Sequence, residues 1–302
     1  MKIILNQPYS FCQKGQRDYQ EDARWPDADL PPLSQHFFIV CDGVGGCEKG
    51  DVASATVCSA MAEKLESVDF AKDFTPHEFS QVLDTAYDAL DDKVDESNSD
   101  MATTMVFVCF HAGGCTMAHI GDSRIYQYRK DEGIIYRSDD HSLVNKMVHE
   151  GKLSPEEAES HPQSNIITRY MSPVEDDEER WEATMVTTDD VMPGDIFLLC
   201  TDGVNSSVTD NTMIEILDSE ISDEDKTRQI AAECIYSSDN NTCFLIPIKE
   251  VVGRHSESLD ITDDVKTKKI KKSSYTTLEV ESEKKMKNKC FFQKLKEMFN
   301  LK

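Results

Sequence analysis

Apolar residues over the first 248 positions of this 302-residue chain fall into short, dense runs separated by polar joints. The runs at 36–41, 104–110, 115–120, 125–128, 134–137, 196–200 and 243–248 are rich in Val, Ile, Phe and Tyr. Gly or Asp flanks them, which favours strands over helices. Two joints, Ala112-Gly113-Gly114 and Asp131-Glu132-Gly133, have the length and glycine content of hairpin turns and predict a largely antiparallel sheet. Helical patterns occupy the gaps. Residues 51–65 are rich in Ala and Met without a breaker. The stretch 76–94 opens with Thr75-Pro76 and places Phe79, Val82, Leu83, Ala86, Tyr87 and Leu90 close to the helical period of about 3.6. Shorter helices are predicted at 142–150, 154–160 (with Ser154-x-x-Glu157 as a capping box) and 223–235. Strands and helices in mixed order point to the α+β class, a sheet core flanked by helices.

The pattern fades after Glu250. Residues 251–289 hold Ser, Thr, Lys and Glu with few large apolar side chains and read as a solvated linker. Beyond it Phe291, Phe292, Leu295, Met298 and Phe299 fall on one helical face, with Lys294, Lys296 and Lys302 beside them. Such a helix suits docking on a membrane surface or a partner protein, the alternative being a solvated tail. Charge divides the chain at the same place. Residues 249–302 carry 14 Lys+Arg and 9 Asp+Glu, net +5, and the first 248 carry 18 against 48, net −30. The expected organisation is therefore an acidic folded body over 1–248 and a basic, flexible tail over 249–302.

So acidic a body excludes broad nucleic-acid binding, which needs phosphate neutralisation, and suits cations or a basic partner. No run approaches the roughly 18 apolar residues that span a bilayer. Met1 to Leu5 turn polar at Asn6, too soon for a signal peptide. Ten cysteines form no C-x-x-C pair and mostly sit in apolar runs, as expected of reduced thiols in a cytoplasmic protein.

The informative feature is where acids stand relative to the strands. The run 37–41 leads into Asp42-Gly43-Val44-Gly45-Gly46, and 116–120 leads into Gly121-Asp122-Ser123-Arg124. The run 196–200 leads into Thr201-Asp202-Gly203, and Asp239-Asn240-Asn241-Thr242 leads into 243–248. One Asp after a strand is ordinarily a turn residue. Four, each beside apolar residues, form a partly desolvated set that repels itself unless a cation joins it. Oxygen ligands without nearby His or Cys select hard cations such as Mg²⁺, Mn²⁺ or Ca²⁺. Arg17-Asp18-Tyr19-Gln20-Glu21-Asp22 adds a fifth acidic element. Its arginine is either half of a surface ion pair or a planar fork for phosphate. Carboxylate-bound metals with one arginine are a sound apparatus for phosphate-ester hydrolysis.

Other phosphate chemistries fail on their residues. Cys-x5-Arg is absent, Cys58 and Cys290 coming nearest with Lys64 and Lys296. The near P-loop at 45–50 has Asp51 where lysine is required. Asp140-His141-Ser142 brings a carboxylate, an imidazole and a hydroxyl together in sequence, but the members of a triad meet in space.

These motifs resemble the metal-dependent protein phosphatase 2C family of serine/threonine phosphatases, above all its compact bacterial members. Arg17…Glu21-Asp22, Asp42-Gly43-x-Gly45-Gly46, Gly121-Asp122-Ser123-Arg124, Thr201-Asp202-Gly203 and Asp239-Asn240-x-Thr242 stand in the family's order. Residues 140–171 resemble the bacterial flap and are expected to tune substrate choice. The resemblance implies two stacked antiparallel β-sheets between helix pairs, an α-β-β-α sandwich. It also implies two divalent cations, Mn²⁺ or Mg²⁺, with a third at Asp122, and a metal-bridging hydroxide that attacks phosphoserine or phosphothreonine directly. Asp42 would bridge both metals, Glu21 and the Gly43 carbonyl would serve one, and Asp202 and Asp239 the other. Arg17 would hold substrate phosphate, Asp22 would stand behind the ligands, and Asn240 would orient its neighbours. Partners would be phosphoproteins, substrates of a serine/threonine kinase. Two departures stand out. Val44 replaces the histidine with which many members protonate the leaving group, and Asn205 and Ser206 replace an acid that supports the third ion. The alternative is a catalytically weak, phosphatase-like regulatory or binding domain, favoured by loss of a metal acid; none is lost.

Overall fold

The structure is a computed structural model that describes residues 1–253, apart from 46, 48, 95–99, 160 and 175–179, together with 276–278. Its elements begin with β1 (Lys2–Leu5), β2 (Tyr9–Gln13), β3 (Asp22–Trp25), β4 (Phe37–Asp42), α1 (Gly50–Leu65) and α2 (Pro76–Asp91). There follow β5 (Met105–His111), β6 (Gly114–Ile120), β7 (Arg124–Arg129), β8 (Gly133–Arg137), α3 (Leu143–His149) and α4 (Pro155–Glu159). The remainder are β9 (Thr184–Thr188), β10 (Ile196–Cys200), α5 (Asp202–Asn205), α6 (Asp210–Asp218), α7 (Asp223–Glu233), β11 (Asn241–Val252) and β12 (Thr276–Leu278).

Among the described residues the strands form two six-stranded sheets. One runs β1-β11-β10-β7-β8 with β2 also on β11, and the other runs β12-β9-β6-β5-β4-β3. Every named pairing is antiparallel. Alternation along the strands then builds three apolar layers. Phe38 and Val40 of β4 face Phe244 and Ile246 of β11 between the sheets, with Phe38 edge-on to Phe244 at 5.3 Å between centroids. Phe37, Ile39 and Cys41 point the other way and bury Val57 and Met61 of α1 with Phe79 and Leu83 of α2. On the opposite flank Leu198 and Leu245 pack under Met213, Leu217 and Ile230 of α6 and α7. The α-β-β-α sandwich expected from the sequence is the fold observed.

Local signals set the ends of helices. Thr75 and Glu78 form a reciprocal capping box ahead of Pro76. Ser142, Thr209 and Ser222 each accept an N–H bond in the first turn of α3, α6 and α7.

Several elements differ from the sequence reading. β1, β2, β3, β9 and α6 were not expected, because each is short or carries few large apolar residues. β11 continues to Val252, beyond the expected end at Ile248, since β1 pairs with it from Lys2↔Val252 to Leu5↔Ile248. Within the segment expected to be a linker, Thr276–Leu278 pairs with β9 as an edge strand. The expected helix over 291–301 lies outside the described residues.

Candidate metal centre

The six candidate acids arrive at one end of the sandwich because of strand direction. Asp42 closes β4, and Asp22 opens β3 directly across from it in register. Cys200 pairs with Cys243, so Asp202 just after β10 and Asp239 just before β11 share that end. Asp122 occupies the turn between β6 and β7.

Segment 14–22 is fastened to this end by Asn240. Its Oδ1 accepts the Glu21 N–H at 2.8 Å. Its Nδ2 donates to the carbonyls of Lys14 and Tyr19 at 2.8 and 2.9 Å. The Gly43 N–H donates to the Glu21 carbonyl at 3.0 Å. A Cβ on Gly43 would stand 2.5 Å from the Gly50 backbone and 2.9 Å from Glu21 Cβ, so only glycine lets the acidic loop, α1 and Glu21 meet. Behind them Asp22 Oδ2 accepts from the hydroxyls of Thr242 at 2.7 Å and Thr201 at 3.1 Å.

Crowding governs the electrostatics. Asp42, Asp122 and Asp202 lie deep yet keep part of their surface in contact with solvent, as groups reachable by a small ion do. Burial, then repulsion from Asp22, Asp202, Asp122 and Asp239, pushes the Asp42 carboxyl well above the ordinary aspartate range. Burial and then Asp202 do the same to Asp122. Asp202 is pushed up to about 6 by burial and Asp239, against a hydrogen bond with Asp42. Asp22 is pushed up to about 7 by burial, despite the bond from Thr242. Burial also raises Glu21, which Arg17 opposes.

This donor set fits a hard divalent cation. Asp202 Oδ1 and Asp22 Oδ1 are buried without a hydrogen-bond partner, and positive charge is what would relieve the mutual repulsion. Among the described residues no three His, Cys, Asp or Glu side chains are drawn together as a ready cage. Side-chain rotation would have to close the carboxylates on a shared ion.

Arg17 is placed differently from a free phosphate fork. Its Nη2 donates to Asp239 Oδ2 at 2.6 Å with 42% of its side chain exposed, and the other Asp239 oxygen accepts the Asn240 N–H at 2.8 Å. Val44 is buried with Ala102, Ile167 and Tyr170, so the residue after Asp42-Gly43 makes an apolar contact with the 140–171 segment and offers no titratable group to the site. Sequence reasoning assigned no role to Thr201, Thr242 or Ser54, whose hydroxyl donates to the Glu21 carbonyl at 2.5 Å. Thr201 immediately precedes Asp202-Gly203 and Thr242 closes Asp239-Asn240-Asn241, and a buried hydroxyl within an acid motif is the signal that marks them.

Comparison with known proteins agrees with this architecture. The profile of the protein phosphatase 2C family matches residues 32–232. A putative protein phosphatase 2C-type of Streptococcus pyogenes is 30% identical over 236 residues, covering 74% of this chain and 87% of that protein. Protein phosphatase PhpP of Streptococcus pneumoniae is 29% identical over 221 residues, 71% of this chain and 86% of that one. The crystal structure of the Mycobacterium tuberculosis serine/threonine phosphatase PstP superposes with a TM-score of 0.70 at 26% identity, covering 82% of this chain and 100% of that chain. A PstP catalytic domain in complex with two manganese ions superposes with a TM-score of 0.67 at 24% identity, over 82% and 100% of the two chains. The chain belongs to the protein phosphatase 2C family.

Proposed function

We propose that this chain hydrolyses phosphoserine and phosphothreonine in proteins, using divalent cations held by the acids gathered at one end of the sandwich. The observation that carries the reading is the convergence of Asp22, Asp42, Asp122, Asp202 and Asp239 on one end of the sandwich, with Asp22 Oδ1 and Asp202 Oδ1 buried without a hydrogen-bond partner, an arrangement that a hard cation relieves. Family membership supports protein dephosphorylation as the activity.

Asp42, Asp202, Asp239, Glu21 and the Gly43 carbonyl would hold two cations, Mn²⁺ or Mg²⁺, with Asp122 available to a third. When bound, the cations supply Lewis acidity and a water nucleophile active near neutral pH. Arg17 turns its fork from Asp239 to the phosphate and binds its outer oxygens. Asp22 holds Thr201 and Thr242, and so the backbone beside Asp202 and Asp239. Val44, packed among apolar side chains, has no proton to give, so water protonates the leaving alkoxide.

The substrates are phosphoproteins made by a serine/threonine kinase, and residues 140–171 tune the choice among them. Among the described residues no helix is long and apolar enough to cross a membrane, and cytoplasmic action suits the free thiols of the described cysteines. Phosphate release from a phosphothreonine peptide, with Mn²⁺ and with EDTA, tests the function. Release in Mn²⁺ alone is expected, and equal release in EDTA would overturn it.

A further inference from the structure

A stacked histidine pair that the proposed chemistry does not use, His119 buried and His141 partly so, stands beside the acids. His119 near the end of β6 and His141 ahead of α3 stack with centroids 4.4 Å apart and planes 15° from parallel. His141 Nδ1 accepts the Gly121 N–H at 3.1 Å, so Nε2 carries the proton and donates to Thr184 Oγ1 at 2.9 Å. His119 Nε2 donates to the Asp139 carbonyl at 2.7 Å, leaving Nδ1 bare and buried without a partner. Burial lowers both, and repulsion from His119 helps to drive His141 down to about 2. Two rings held neutral serve geometry, not proton transfer.

That geometry clamps the Asp122 turn. The His141 N–H donates to the Gly121 carbonyl at 2.9 Å, so residues 121 and 141 exchange bonds in both directions. Arg124 grips Asp140 through two bonds of 2.7 Å. From the far side of the 140–171 segment, Thr168 donates its N–H at 2.7 Å and its hydroxyl at 3.0 Å to the His141 carbonyl. The turn has no slack. Gly121 has φ +110°, and a Cβ there would stand 2.6 Å from Thr104.

We propose that His141 is a positioning residue that fixes the Gly121 turn, aims Asp122 at the acid cluster, and ties that turn to the 140–171 segment as one unit. This rests on the reading of Asp122 as a cation ligand. The imidazole's two nitrogens separate this role from packing alone. His141→Asn keeps an acceptor near the Nδ1 position for Gly121. His141→Gln reaches toward Thr184 and loses that acceptor, and His141→Ala loses both.

The test is Mn²⁺ titration of metal-stripped full-length protein by electron paramagnetic resonance, with melting curves to identify any variant that fails to fold. His141→Ala and His141→Gln should weaken the weakest Mn²⁺ site by about tenfold, and His141→Asn should restore it. If the alanine variant does not fold, the Asn–Gln contrast decides alone. Equal affinity in Asn and Gln, whether native-like or weakened, overturns the proposal. Asp122→Asn is the companion variant. If it binds Mn²⁺ like the unaltered protein, the ligand assignment fails and the proposal with it. Mn²⁺-dependent release from a phosphothreonine peptide in the same preparation would show that the phosphatase reading still stands.

Discussion

Asp22 and Asp42 stand directly opposite one another where β3 pairs with β4. Like charges facing across two strands destabilise a sheet. The folded chain meets this with hydroxyls from Thr201 and Thr242 on Asp22 and with carboxyls that hold protons above their ordinary range.

The sign of the resulting pH dependence follows. Asp22 is raised from 3.8 to about 7 and Asp202 to about 6. Between about pH 4 and pH 7 the metal-free folded state therefore binds more protons than the unfolded chain. That contribution to stability is complete below about pH 4 and lost as pH rises through about 7. Calorimetry in EDTA should give a higher Tm at about pH 5 than at about pH 8, and Mn²⁺ should raise Tm more at the higher pH, because it binds the deprotonated acids. A metal-free Tm that climbs from the lower pH to the higher contradicts this account.

Asp42→Ala and Asp202→Ala should nearly abolish turnover, each removing a stabiliser worth about 3 kcal/mol or more, over a hundredfold in rate. Metal-free Asp42→Ala should nevertheless melt no lower than the unaltered protein, since it relieves repulsion. Steady-state kinetics and melting curves on one preparation check both halves.

Arg17→Ala should raise KM for a phosphopeptide, and Arg17→Lys should rescue only partly, because a point charge cannot make a bidentate grip. Loss of the 2.6 Å pair frees Asp239, so Mn²⁺ affinity should hold. Mn²⁺ titration beside kinetics separates the roles. Collapsed metal binding with an unchanged KM would assign Arg17 to Asp239 and not to phosphate.

Two truncations test where the catalytic body ends. Ending the chain after Gly253 removes the edge strand β12 but no candidate ligand, and kcat/KM should stay unchanged. Ending it after Lys249 also removes the partners of Lys2, Ile3 and Ile4 in β1, and Tm should fall. Equal melting of the two would show that the last turns of β11 contribute nothing.

Legibility in the sequence followed local density of apolar side chains. The apolar runs 37–41, 105–110 and 196–200 of β4, β5 and β10 are uninterrupted and buried at every position, and runs of that kind announce themselves. β3, Asp-Ala-Arg-Trp, buries only Asp22 fully; it is a strand because the edge of β4 accepts one, a tertiary cause that propensity does not report. α6 is capped by Thr209 and buries Met213, Ile216 and Leu217, but its acids and Asn211 diluted the pattern. In the site, the acids were legible because strand ends collect on one rim. The attachment of Arg17 to Asp239 spans 222 positions, and Asn240 fastens Lys14 and Tyr19 from as far away. Nothing local encodes those pairs.

The long strand β11 begins beside Asp239 and ends with Val252 across from Lys2. Eleven strand steps at about 3.3 Å separate Asn241 from Val252, roughly 35 Å. The two ends of the folded body thus meet at the pole remote from the acids. A short covalent bridge from Val252 to Lys2 would close the body into a ring, and new ends opened in the hairpin between β7 and β8 would yield a circularly permuted protein with the acid rim intact.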